Sequence, residues 1–183
     1  MSSSPSEGRK SAWPAWLTAL QQITPESAVP EVLTALERGL GAEGHWLARL
    51  SNTVALLRRY LPDLFSAGFY ITARPGTHLW LGPYQGPPTF AQVEWGDGAV
   101  GSAANERAVQ IIAQLRRFPN YVPAYRAIRS EIALPLVRDR MVLGVLDATS
   151  EAEARFGIVE AEFLSLCAER IVRAWPQGSA GIP

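Results

Sequence analysis

Along this 183-residue chain the spacing of hydrophobic and polar residues changes several times, and each change marks an element. After Pro25-Glu26-Ser27, the residues Val29, Val32, Leu33, Leu36 and Leu40 recur at the steps that line one face of a helix, and Gly39, Gly41 and Gly44 end it. Leu47, Leu50, Val54, Leu57 and Leu61 then form a seam on a second helix. Such a seam packs into the chain's own core or against another helix, a second copy's included. Pro62-Asp63 closes it, and the pattern shifts to three strands over residues 67–73, 77–84 and 89–95. Arg74-Pro75-Gly76 and Gln85-Gly86-Pro87-Pro88 supply the turns between them, which predicts an antiparallel meander.

Residues 129–150 form the stretch around which the rest is arranged. Ile132, Leu134 and Leu136 alternate with Ala133, Pro135 and Val137, Arg138-Asp139-Arg140 makes a polar break, and residues 141–146 are almost continuously apolar. The pattern predicts a β-hairpin, and strands this apolar are covered on both faces. Glu131 enters the first strand and Asp147 leaves the second, so an antiparallel pairing brings both carboxylates to the same rim. There they either grip a cationic group or stand in water as ordinary strand-end acids.

Between the meander and the hairpin, residues 96–107 predict a short helix with a glycine-rich start, and residues 108–115 a short strand or bend. Residues 116–128, broken by Pro119 and Pro123, read as a loop over a pocket. Residues 156–175 predict a last helix with Phe163, Leu164, Cys167, Ile171 and Ala174 on one face, stopped by Pro176. The order is that of an α+β fold, helices covering a single antiparallel sheet. Residues 1–24 are expected to be a flexible tip and a docking segment around Trp13, Pro14 and Trp16, residues 25–175 the domain, and residues 176–183 a loose tail.

Composition narrows the function. A content of 48% hydrophobic and 19% charged residues is ordinary for one globular domain. Seventeen basic residues cancel seventeen acidic ones, so no global field draws nucleic acid or an anionic membrane. Locally, seven arginines between Arg107 and Arg140 face only Glu131 and Asp139, either a solvated face or an anion site. No apolar run is long enough to span a membrane and the N-terminus lacks a secretory core, so a cytoplasmic protein is expected. Cys167 is the only cysteine, which excludes an internal disulfide and a two-thiol relay within one chain. His45 and His78 have no neighbours at metal-ligand spacing, so neither a metal nor another cofactor is expected. Residues 96–101, GDGAVG, spell a dinucleotide fingerprint, but the hairpins around them and the arginine-rich stretch beyond do not supply the parallel βαβ unit and later acid it needs.

SEIALPL followed by GVLDATS, preceded by AGFY, LGPYQGPP and GDGAVGSAA, resembles the GAF-domain enzymes that reduce free methionine-R-sulfoxide. The likeness covers roughly residues 28–174 in five blocks and implies a three-layer GAF fold and a homodimer. It places Tyr70, Glu131 and Asp147 among the residues that hold the amino acid, with the carboxylates on its ammonium group. It also places the family's cysteines where this chain has Phe90, Val100 and Ala124. Sulfoxide reduction needs a thiolate to attack sulfur and a second thiol to resolve the sulfenic acid, and these side chains do neither. Cys167, on the apolar face of a helix, reads as a structural cysteine, and its solitude also removes a covalently held bilin. The family's tryptophan before AGFY is Ser66 here, and two further acids are Tyr125 and Thr149. With Arg126 and Arg129 nearby, Tyr125, Arg126 and Arg129 become candidate new ligand contacts, and a ligand of more anionic or aromatic character is expected. The reading is a non-redox GAF domain that binds a small, amino-acid-like metabolite. The alternatives are the reductase activity of the family and an interaction module that works as a dimer.

Overall fold

The hairpin of residues 129–150 lies at the heart of the sheet. In the computed structural model, which describes residues 29–41, 45–61, 63–119, 121 and 124–176, it comprises β5 (Ser130–Arg138) and β6 (Met141–Ser150). The remaining strands are β1 (Ser66–Arg74), β2 (His78–Gln85), β3 (Gln92–Glu94) and β4 (Gln110–Ile112). They form one sheet in the order β3-β2-β1-β6-β5-β4 with every pairing antiparallel, so the glycine motif has no parallel βαβ unit around it. The hairpin turns at Asp139 and Arg140, both with positive φ of 49° and 67°, the two-residue geometry that matches strand twist but favours Asn and Gly.

Two apolar layers cover the two faces. Helices α1 (Val29–Gly41), α2 (Trp46–Tyr60) and α4 (Ile158–Ala174) pack on one of them. There Val32, Leu36, Leu50, Val54, Leu57, Phe163 and Leu164 meet Phe69, Ile71, Ile132, Leu134 and Leu146. Helix α3 (Gly98–Glu106) covers the other face, with Ala99, Val100, Ala103 and Ala104 against Tyr70, Leu79, Ala133 and Val145. Alternation along each strand sorts residues between the layers, and Gly101 sets the position of α3. A Cβ on Gly101 would strike the carbonyl oxygen of Glu94, so only glycine lets the helix approach β3 this closely.

Several expectations shift. Leu50, Val54, Leu57 and Leu61 of the α2 seam are buried in the chain's own core, and only Leu47, 46% exposed, is left outward. The strand expected over residues 89–95 shrinks to Gln92–Glu94, because Thr89 and Phe90 leave the sheet to border the pocket. Trp175, just past α4, is buried, and Arg138 donates to the carbonyls of Trp175 and Pro176, tying the end of α4 to the hairpin. The docking segment and the start of the first helix expected at Pro25 lie outside the described residues, as does the tail beyond Pro176.

Candidate functional site

The register of β1, β6 and β5 makes a small lattice of side chains on the α3 face. Ser66 pairs with Thr149 and Thr149 with Glu131; one step inward, Gly68 pairs with Asp147 and Asp147 with Ala133; one further, Tyr70 pairs with Val145. Glu131 and Asp147 are thus diagonal neighbours on one face, as the hairpin implies, and they are hydrogen-bonded to each other. Asp147 sits between glycine and alanine, so no large cross-strand side chain covers it from β1 or β5. The missing side chain at Gly68 admits the ring of Tyr84, whose carbon would lie 2.7 Å from a Cβ there.

These residues form the base of a pocket holding about 660 Å³ of unfilled space out to its open mouth. The start of α3 supplies one wall through Asp97, Gly98, Ala99 and Val100, and Thr89 and Phe90 another. Leu115, which opens a single 3-10 turn (Leu115–Arg117), closes the third with Phe118, Tyr121, Ala124, Tyr125 and Ile128. Tyrosine hydroxyls brace the rim: Tyr84 donates to the Pro87 carbonyl at 2.9 Å, Tyr125 to that of Pro88 at 2.5 Å, and Tyr70 to that of Phe90 at 3.4 Å. Prolines 87 and 88 have no N–H to offer, so their carbonyls are the groups available for this clasp. The Tyr125 ring also packs on Phe65, centroids 5.4 Å apart.

Burial dominates the electrostatics. Asp147 is only 5% exposed, and its Oδ1 has no hydrogen-bond partner. Loss of solvation pushes its carboxyl up to about 7, against smaller opposite contributions from its hydrogen bonds with Glu131 and the Ala148 backbone. Glu131 is driven well above the usual range by desolvation and then by the Asp147 charge and hydrogen bond. A hydrogen bond between two carboxyls needs one proton, so near neutral pH the pair shares it. Burial also raises Tyr70 and Tyr84, keeping both hydroxyls as donors.

Tyr70, Glu131, Asp147 and Tyr125 therefore meet in one pocket, together with Phe90, Val100 and Ala124 from three separate segments. Arg126 and Arg129 are not part of its lining. Arg126 is exposed, its carbonyl accepting from Arg116 at 3.2 Å, and the Arg129 guanidinium lies 3.6 Å from Glu153, so solvent and a surface acid hold these cations outside. Cys167 is fully buried in the layer under α4, on the opposite face of the sheet, where burial pushes its thiol up to about 12. Ser66 and Thr149 bond to each other across β1 and β6, Oγ to Oγ1 at 2.5 Å. Sequence reasoning missed Tyr84 and Asp97 as pocket residues. Tyr84 had a signal in LGPYQG, but its place opposite Gly68 depends on register. No group of acids, histidines and cysteine suited to a metal ion occurs among the described residues.

Among the described residues, an antiparallel six-stranded sheet with three helices on one face, a short helix on the other and a pocket beside it defines the class, and the GAF-domain model matches residues 22–175: the chain belongs to the GAF-domain family. Within that family it is similar to protein YtsP of Bacillus subtilis, 34% identical over 146 residues that cover 80% of this chain and 90% of that protein. It is also similar to the free methionine-R-sulfoxide reductase of Escherichia coli, 38% identical over 117 residues, 64% of this chain and 70% of that enzyme. Among solved structures, the free methionine-R-sulfoxide reductase of Neisseria meningitidis in complex with its substrate superposes with a TM-score of 0.76 at 32% identity, covering 80% of this chain and 87% of that one.

Proposed function

We propose that this chain is a non-redox GAF domain that binds a small amino-acid-like molecule in the α3-face pocket. The observation that carries the reading is the pocket's own inventory: it keeps two acids, Asp147 buried with an unpartnered oxygen and Glu131 half-buried, and holds no thiol. An ammonium group seated at Glu131 and Asp147 would supply the missing partner of Oδ1 and replace the shared proton. Tyr70 and Tyr84 stay protonated and able to donate, and the Tyr125 clasp closes the mouth over the ligand. Reduction of a sulfoxide to a sulfide releases water and consumes two electrons, supplied in thiol chemistry by two thiols that become a disulfide. A single cysteine behind the sheet supplies neither the attacking nor the resolving thiol, and its raised pKa leaves almost no thiolate. We extend the proposal to a homodimer and to a cytoplasmic location, the first open to light scattering and the second to fractionation.

Two measurements on the purified protein test this. Calorimetric titration with free methionine-R-sulfoxide is expected to show weak but saturable binding that Glu131→Ala and Asp147→Ala abolish. Incubation with the same sulfoxide and excess dithiothreitol is expected to yield no methionine above the protein-free rate. The competing reading, a reductase like the named relatives in E. coli and N. meningitidis, is supported by their identity to this chain. Turnover that survives Cys167→Ser would establish that reading and sink ours.

A further inference from the structure

We infer that this pocket selects an organic cation over a zwitterion: its preferred ligand is a primary amine on an aromatic or apolar body, without an α-carboxylate. The inference rests on the binding reading above and names the ligand class. Three acids border the cavity, Asp97, Glu131 and Asp147, and among the described residues no basic side chain does. Six aromatic rings surround the same space, those of Tyr70, Tyr84, Phe90, Phe118, Tyr121 and Tyr125, whose faces favour a cation and its hydrocarbon body.

An α-amino acid seated with its ammonium on Glu131 and Asp147 would bring its carboxylate within a few ångströms of the same two acids. Nothing charged answers it. Arg126 and Arg129, the cations that sequence proximity offered, stand outside the lining. Among the described lining residues the electropositive feature is the start of α3, where helix dipoles leave roughly half a unit of positive charge; Arg58, whose charge reaches Tyr84, donates to the Leu64 carbonyl and is not in the lining. Asp97 precedes that helix and lines the pocket, and its carboxylate makes no capping hydrogen bond. An exposed acidic side chain therefore stands beside the half charge that could hold a ligand carboxylate. Removing the carboxylate from the ligand removes the repulsion and keeps the ammonium contacts.

The test is a matched pair of probes, 2-phenylethylamine and L-phenylalanine, titrated calorimetrically into the full chain at pH 8. The amine is expected to bind at least tenfold more tightly than the amino acid, and Asp97→Asn, which preserves a side chain able to cap α3, is expected to shrink that ratio severalfold. Glu131→Gln is expected to weaken the amine, with circular dichroism confirming that the variant is folded. Equal or tighter binding of phenylalanine overturns the inference, as does absence of binding by both probes. Neither result touches the non-redox reading, which fails only on methionine formation or on the sulfoxide titration.

Discussion

Replacing Asp147 by asparagine should stabilise the ligand-free protein, and the effect should grow with pH. Both acids of the pair have raised pKa values, so the folded state holds a proton that the unfolded chain releases at lower pH. Unfolding releases protons in that window, and stability therefore falls as pH rises from the ordinary carboxylate range to about 7. A tenfold change in acid strength corresponds to about 1.4 kcal/mol, so a carboxyl displaced from 3.8 to about 7 sets an upper limit of about 4 kcal/mol on what ionising this buried group costs. Asparagine cannot ionise, and its amide donates to Glu131, whose own pKa then relaxes downward. Taking about half of that limit, Asp147→Asn should gain about 2 kcal/mol at pH 8 and about 0.8 kcal/mol at pH 5, which already lies above the unfolded value of 3.8, or a Tm rise of about 4–8 °C at the higher pH. Urea unfolding at pH 5, 6, 7 and 8 reads this directly, with the slope in denaturant unchanged between the two proteins. Every other titratable group is common to both proteins, so the difference isolates position 147. A variant equally or less stable at pH 8, or a wild type whose stability does not fall between pH 5 and 8, would refute the account of a strained acid pair.

Two other changes test how the frame holds the site. Gly101→Ala should cost about 1–3 kcal/mol and lower ligand affinity, because the new methyl meets the Glu94 carbonyl and displaces the start of α3; chemical denaturation that finds no loss would show that α3 is not pinned there. Replacing Asp139-Arg140 by Asn-Gly should add about 1 kcal/mol, since both residues have positive φ, and should leave ligand titrations unchanged because the turn is at the far end of the hairpin from Glu131.

Much of the frame could be read from local patterns. Val29 to Leu40 lies on a helix, β5 and β6 lie where alternation and the polar break put them, and Cys167 faces the core as its helical spacing implies. These features depend on period and turn chemistry, which a few neighbouring residues determine. The leucine seam of α2 was ambiguous for the same reason: spacing tells which side chains share a face and leaves open what covers it. The tertiary fold put α1, α4 and the sheet there. Thr89 and Phe90 looked like strand residues by type, but pairing with β2 extends only over Gln92–Glu94, and the preceding residues turn to the pocket.

The candidate site divides along the same line. That two acids at the ends of one hairpin share a rim, that the chain has one cysteine, and that Phe90, Val100 and Ala124 carry no thiol are legible in the order of residues, because these are matters of composition and of strand geometry within one hairpin. The packing of remote segments brings Asp97 and Tyr84 to the acids, leaves Arg126 and Arg129 outside the lining, and lets Ser66 and Thr149 satisfy each other 83 residues apart in sequence. It also decided that Asp147 keeps an unpartnered oxygen. Solvation and Coulomb interactions depend on distances in space between segments remote in sequence, whereas the hydrophobic period that forms each element is written within a few residues.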